Sequence, residues 1–233
     1  MNKVVKIIVE VLLLAAIAGL VYLLYSNIMQ PVNFNKEKAS RQAVAVQRLK
    51  DIRTLQVANK SVTGKFNSSV DSLKQFYENG QMEIVMQVGS MDDSLAVLNT
   101  EAIKRANRRL KPEQLTEKLK EAYAAGQKVV FSTATKIPVR DTLFTNRPDF
   151  CIDSLKYIPF SGKEEIQMEA ITKKVSGVDV PLFEARIPWK ALLKGMNNQL
   201  RINLDAESRD LNRYEGLQVG SITAPNNNAG NWE

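Results

Sequence analysis

The residues able to do chemistry in this chain are few in kind. Its 233 residues include no histidine and a single cysteine, Cys151. Without histidine the commonest general base and the commonest zinc ligand are missing, which excludes a Ser-His-Asp or Cys-His nucleophile and a His-based zinc site. Carboxylate and lysine chemistry remain. The densest oxygen cluster is Asp205, Glu207, Asp210 and Asn212, at a spacing calcium could use after a predicted strand. Arg201, Arg209 and Arg213 lie among these residues, and the EF-hand spacing with its glycine is absent. A solvated ion-pair face is the simpler reading, and no metal site is expected. Cys151, between Phe150 and Ile152, reads as a buried, inert thiol. A lone cysteine leaves no internal disulfide framework. No catalytic residue and no cofactor are expected.

Glu10 is the exception that draws a functional hypothesis, because an ionisable group inside a spanning helix is costly. It stands near the start of the run Ile7 to Ile28, IIVEVLLLAAIAGLVYLLYSNI. The plainer reading has Glu10 snorkelling to the near face and pairing with Lys6, four residues earlier. A helix from Val4 to Ile28 is about 37 Å long, enough to cross a hydrocarbon core of about 30 Å. Tyr22 and Tyr25 lie toward the far end, where aromatic rings favour the interface. Ala16-Ile17-Ala18 fits the small-residue rule for signal cleavage, yet the apolar run continues well beyond it, which favours an uncleaved anchor. Lys3 and Lys6 precede the span and Lys36, Lys38 and Arg41 follow it, so charge alone nearly balances. The short leader places the N-terminus in the cytoplasm and the remainder in the periplasm.

The elements that follow imply a mixed domain. Pro31 is expected to stop or bend the helix. From Lys36 to Lys60 the chain is free of Gly and Pro, with Val46, Leu49, Ile52 and Leu55 on one face and Val57 near it, an amphipathic helix ended by Gly64. Ser68 or Ser69 caps a further helix carrying Leu73, Phe76 and Tyr77, which Asn79-Gly80 closes. Met82–Val88 reads as a strand, and Asp92–Ala125 as helical with Pro112 in a first turn. Lys128–Thr133, Leu155–Phe160, Ile166–Val175, Val180–Ile187, Gln199–Leu204 and Leu217–Ile222 read as strands, and PNNNAGNWE as a polar tail. Helices followed by strands give an α+β class. The expected layout is a transmembrane signal-anchor helix over 1–30, an amphipathic stalk over 31–64 and an extracytoplasmic domain over 65–233.

The N-terminal third resembles the type IV pilins and the pseudopilins of type II secretion systems. The resemblance is densest in Val9-Glu10-Val11-Leu12-Leu13-Leu14-Ala15-Ala16-Ile17-Ala18-Gly19-Leu20. It extends to Arg48–Gln56, Gly64-Lys65-Phe66 and Asp71-Ser72-Leu73. It implies a helix packed on an antiparallel sheet, with Glu10 facing the amine of a neighbouring subunit in a fibre core. Val5 stands where the family's peptidase needs glycine, and Lys6 where an aromatic residue is usual. The remainder resembles anchored envelope proteins of Bacteroidetes, including the run Ile152–Phe160 and the Asn-rich end.

Asp-Ser/Thr-Leu recurs at Ser72, Ser94, Thr142 and Ser154, and resembles the O-glycosylation signal of Bacteroidetes envelope proteins. Asp and Ser are equally helix-start and turn residues, which is the structural alternative.

The net charge of +7 is spread along the chain and interleaved with acids. Its one basic cluster, Lys104, Arg105, Arg108, Arg109 and Lys111, has no aromatic residues interleaved. It reads as a solvated helix face, or as a contact for anionic headgroups or an acidic partner, and not as a nucleic-acid surface. The expected partners are the bilayer and other membrane or envelope proteins, including further copies of the chain, with no small-molecule substrate. A non-enzymatic, pilin-like subunit is the first reading. A monomeric anchored binding or scaffold domain is the second, and a carboxylate hydrolase a distant third.

Overall fold

The computed structural model describes residues 3–233, with side chains from Lys6 onward. Met1, Asn2 and the Lys3 side chain, part of the basic leader, lie outside the described residues. Along the chain run α1 (Lys3–Thr63), α2 (Val70–Asn79), β1 (Gln81–Val88), α3 (Ser94–Ala106), α4 (Pro112–Ala124), β2 (Phe131–Pro138) and the short α5 (Val139–Thr142). A 3-10 turn over Ile152–Lys156 follows, then β3 (Gln167–Val175), β4 (Val178–Pro188), the short α6 (Trp189–Leu192), α7 (Asn198–Asp210) and β5 (Gly216–Gly220). The class is mixed α+β, with a long N-terminal apolar helix and small antiparallel sheets.

The chain forms two compact units. One takes residues up to Lys74 together with Cys151–Glu233, and the other takes Gln75–Phe150. In the first, β3, β4 and β5 make an antiparallel sheet in that order, with β4 central. Phe183, Ala185 and Ile187 alternate along β4 and are fully buried, as the two-residue period of a strand with one covered face requires. Ala185 pairs with Val219 and Ile187 with Leu217 on β5, and both partners are buried. The second half of α1 packs against β4 and β5. Its buried face is Ala45, Leu49, Ile52, Leu55 and Ala58, spaced by three or four residues as a 3.6-residue helix demands. Val57, expected near that face, is exposed, since two residues beyond Leu55 is more than half a turn away.

Gln56 and Asn59, though polar, are buried on α1 and fasten the loop that leaves it. The Gln56 side chain donates to the Asn67 carbonyl at 2.6 Å and accepts from the Asn67 N–H at 2.9 Å. Asn59 donates to the Lys65 carbonyl at 2.9 Å. Gly64, at φ +77°, makes the turn with its N–H on the Lys60 carbonyl, a backbone state that costs glycine little. The C-terminal tail is not free. It lies along the outer edge of β5 through Gly220 N–H to Ala229 and Asn231 N–H to Gln218. Arg53 of α1 holds Glu233 at 2.6 Å.

In the second unit β1 and β2 pair antiparallel from Gln81↔Pro138 to Val88↔Phe131. Leu119, Val129 and Phe131 form the core with Val88, Ile103, Leu115 and Ala122 against them. The buried Thr100 hydroxyl accepts from the Val130 N–H at 2.8 Å.

Several expectations are corrected. Of the two outcomes expected at Pro31, a stop is excluded, because Pro31 lies inside α1 and the apolar helix continues into the amphipathic one. A proline in a helix interior costs about 3 kcal/mol. Here Met29 and Pro31 are already half-covered and Phe34 is buried, so packing offsets that cost and the helix runs on through Pro31. Gln199–Leu204 is helical, within α7, where the Asn197 side chain accepts from the Leu200 N–H as an N-cap. Leu155–Phe160 is the end of the 3-10 turn plus one bridge, Tyr157↔Glu165, because the chain turns at Pro159 and Phe160 and cannot extend a ladder. The strand expected over Lys128–Thr133 begins at Phe131 and runs to Pro138.

Leu55→Ala is expected to destabilise the folded chain by roughly 2–5 kcal/mol, while Val57→Ala two residues on stays within about 0.5 kcal/mol. Chemical denaturation in lipid nanodiscs checks the contrast.

Candidate functional site

From Lys6 to Ile28 every residue of α1 is exposed, and all but Lys6, Glu10, Ser26 and Asn27 are apolar or tyrosine. From Ile7 to Ile28 none of the large apolar side chains is covered, and Ile28 is still 64% exposed where Phe34, six residues on, is 7% exposed. The helix is long and apolar enough to cross a membrane. Glu10 lies on this exposed stretch. Among the described residues it has no ion-pair partner, so the expected Lys6 contact is not formed. On the other side of the span, Arg41 donates to the carbonyls of Leu192 and Lys194, and Lys38 lies 6.0 Å from the Trp189 ring. These cations are therefore tied to the folded head.

Three of the four Asp-Ser/Thr-Leu triplets mark the start of a helical segment, and the fourth, Asp141-Thr142-Leu143, ends the single turn of α5, with Leu143 as its C-cap. Asp71, Asp141 and Asp153 sit in first turns. Asp93 is the N-cap of α3, accepting from the N–H groups of Leu95 and Ala96. Lys128 donates to the Asp93 carboxylate, and with the two backbone donors holds it below the usual carboxylate range. The four hydroxyl side chains differ in access. Ser72 and Ser94 are exposed. Thr142 and Ser154 are half-buried and donate back to the carbonyls of Pro138 and Cys151.

The oxygen cluster is rearranged by the helical state of α7. Glu207, Asp210 and Asn212 are exposed, whereas Asp205 is buried, so helical phase turns Asp205 away from Glu207. Among the described residues no group of three acids closes on a metal position. Asp205 instead faces a cavity of about 430 Å³ with Lys190, Arg201, Arg213, Tyr214 and Glu215. One Asp205 oxygen pairs with Arg201, one turn earlier on α7. The other, Oδ1, is buried and has no hydrogen-bond partner among the described residues. Burial pushes the Asp205 carboxyl above its usual range and the Glu215 charge adds to this, against the opposing pull of Arg201 and Arg209. Burial likewise raises Tyr214, with Arg186 opposing and Glu184 and Glu215 adding.

The basic cluster is exposed throughout. Lys104 and Arg105 occupy the last turn of α3, where cations complement the helix dipole. Arg105 pairs with Glu101 at 3.0 Å. Cys151 is exposed and not buried. It is extended, at φ −131°, between half-buried Phe150 and Ile152, and alternation along an extended segment sends it outward.

The cavity around Asp205 was not visible as a unit in the sequence. Arg201 and Asp205 are four apart, a helical ion-pair spacing. Lys190 and Tyr214 reach the same place only through the fold. Compared with family models, with curated proteins and with solved structures, the chain finds no match in any of the three.

A raised carboxyl favours its neutral form in the folded state, so ionised Asp205 weakens the fold above its folded pKa. Asp205→Asn is expected to raise the unfolding temperature at pH 7. The gain should shrink as pH falls through the carboxylate range and Asp205 itself takes up a proton. Thermal unfolding of both proteins between pH 7 and pH 3 reads this out.

Proposed function

We propose that the chain is a non-enzymatic, membrane-anchored envelope subunit whose N-terminal helix packs against neighbouring helices in a pilin-like manner. The observation that carries this is the state of α1. Over Ile7–Ile28 it exposes apolar side chains on all sides, and its second half is the spine against which an antiparallel sheet folds. An apolar surface of that extent must be covered by lipid or by other helices. Glu10, exposed and unpaired among the described residues, needs a donor wherever it sits in the hydrocarbon. A neighbouring subunit supplies one. The anchor lies in the cytoplasmic membrane with its N-terminus in the cytoplasm and the folded head in the periplasm.

Glu10→Ala is expected to abolish the multimer ladder obtained by crosslinking in native membranes, with Glu10→Gln intermediate. Unchanged ladders in both variants overturn the assembly reading. Of the Asp-Ser/Thr-Leu triplets, Ser72 and Ser94 keep exposed hydroxyls and are the sites proposed for O-glycosylation. The intact mass of natively expressed protein should exceed that of the bare chain and return to it in the Ser72→Ala, Ser94→Ala double variant.

A further inference from the structure

The second unit carries a sheet of only two strands, and among the described residues no third strand pairs with β1 or β2. Both long edges of this ribbon are therefore open. An open edge is a template for another strand, and native proteins commonly blunt it with lysine or proline. The Gly80 carbonyl accepts from the Val139 N–H at 3.0 Å, which places the ladder bonds on Met82, Ile84, Met86 and Val88 of β1 and on the residues opposite them. The outward N–H and C=O groups of β2 thus belong to Ser132, Ala134, Lys136 and Pro138. That edge carries a charge and a residue with no N–H, so it is blunted. The outward groups of β1 belong to Gln81, Glu83, Val85 and Gln87. β1 has no lysine and no proline, and Val85 and Met86 at its centre are 65% and 50% exposed. Its one charge, Glu83, lies opposite Lys136 within the ribbon.

The order of residues along β1 points to the occupant of this edge. Gln81-Met82-Glu83-Ile84-Val85-Met86-Gln87 reads the same from either end except at Glu83 and Val85. Two copies of one strand in antiparallel contact are related by a two-fold axis, so residues equally far before and after the centre meet. We propose that β1 pairs antiparallel with β1 of a second copy of this chain, centred on Ile84, and joins two ribbons into one four-stranded sheet. In that register Ile84 meets Ile84, Met82 meets Met86 and Gln81 meets Gln87 of the second copy. Glu83 meets Val85, and the Lys136 opposite Glu83 offsets its charge. The backbone parity agrees. Gln81, Glu83, Val85 and Gln87 all meet residues whose N–H and C=O groups also point outward, and the contact gains about eight backbone hydrogen bonds. A centre between two residues sets outward groups against inward ones and loses these bonds. A centre on Val85 keeps the parity but loses the matches of Gln with Gln and Met with Met. A foreign peptide needs only the open edge, whereas a near-palindrome serves a partner that is the same strand. The inference is independent of how α1 assembles.

The test uses the full chain in detergent micelles with Cys151→Ser, so that an introduced cysteine is the only thiol. Residues that meet in a non-hydrogen-bonded antiparallel pair have Cα atoms about 4.5 Å apart, within the roughly 4.4–6.8 Å that a disulfide spans. Ile84→Cys should therefore form a disulfide-linked dimer under mild oxidation. It should do so at least tenfold faster than Val85→Cys, whose two copies sit diagonally at about 7–8 Å. This dependence on position separates the contact from any association through α1. Val85→Pro removes a central outward donor that the ladder with β2 does not use. Added to Ile84→Cys, it should slow the crosslink at least tenfold. Where Val85→Pro fails to fold, the contrast between positions 84 and 85 still decides. No crosslink at Ile84→Cys, or one equally fast or faster at Val85→Cys, overturns the proposal, as does an unchanged rate in a folded Val85→Pro variant.

Discussion

One helix has two different surroundings, bare of protein over Ile7–Ile28 and packed on a sheet beyond, and the rest of the molecule follows from that division. Over Ile7–Ile28 α1 exposes large apolar side chains in every direction and is long and apolar enough to cross a membrane. Within two turns of Ile28, Phe34 is buried. From Ala45 to Ala58 the same helix presents a single apolar seam to β4 and β5. Each fully buried Leu or Ile of that seam contributes about 1.5–3 kcal/mol. Gln56 and Asn59 add a polar lock, because each buried amide fastens the backbone of the returning loop. The far edge of the sheet is closed by the C-terminal tail, whose last residue is held by Arg53 of the same helix. α1 is thus the common reference for the loop, the sheet and the tail.

How far this was legible in the sequence depended on whether local pattern and tertiary context agreed. Met82–Val88, Ile166–Val175 and Val180–Ile187 lie at β1, β3 and β4 to within one or two residues. Their β-branched and aromatic content sits between turn residues, and the fold leaves that pattern in place. Gln199–Leu204 failed for an instructive reason. Leu200, Ile202 and Leu204 alternate with polar residues and mimic a strand. The cap at Asn197 and the Arg201–Asp205 pair belong to the competing period, and they win. Ile202 is left 39% exposed, about 100° round the helix from Arg201, which shares the covered face with Leu204, Asp205 and Ser208. Cys151 failed similarly, since two hydrophobic neighbours on an extended segment argue for exposure and not for burial.

The polar cavity illustrates what sequence spacing cannot carry. Its groups come from the β4–α6 junction, from one face of α7 and from the turn before β5. Only Arg201 and Asp205 are within a turn of each other. Tyr214 and Glu215 reach them because α7 ends at Asp210 and Asn212 takes a positive φ of 52°, reversing the chain toward β5. The Glu215 carbonyl then accepts from the Trp189 N–H, fixing the start of α6 and Lys190 beside it. Backbone hydrogen bonds, and not a motif, assemble the cavity.

The continuity of α1 bears on what the anchor is for. A simple tether asks only for length, and a flexible Gly/Ser linker between span and head serves it at little cost. This chain instead runs one helix from Lys3 to Thr63 and keeps it through Pro31 despite the lost hydrogen bond. With no linker between them, the face bearing Glu10 and the face bearing Leu49 keep a fixed phase about one axis. In the proposed assembly, a neighbour gripping the Glu10 face would therefore meet the head in one orientation. A monomeric tether has no use for that coupling, whereas the proposed packing of identical subunits would use it.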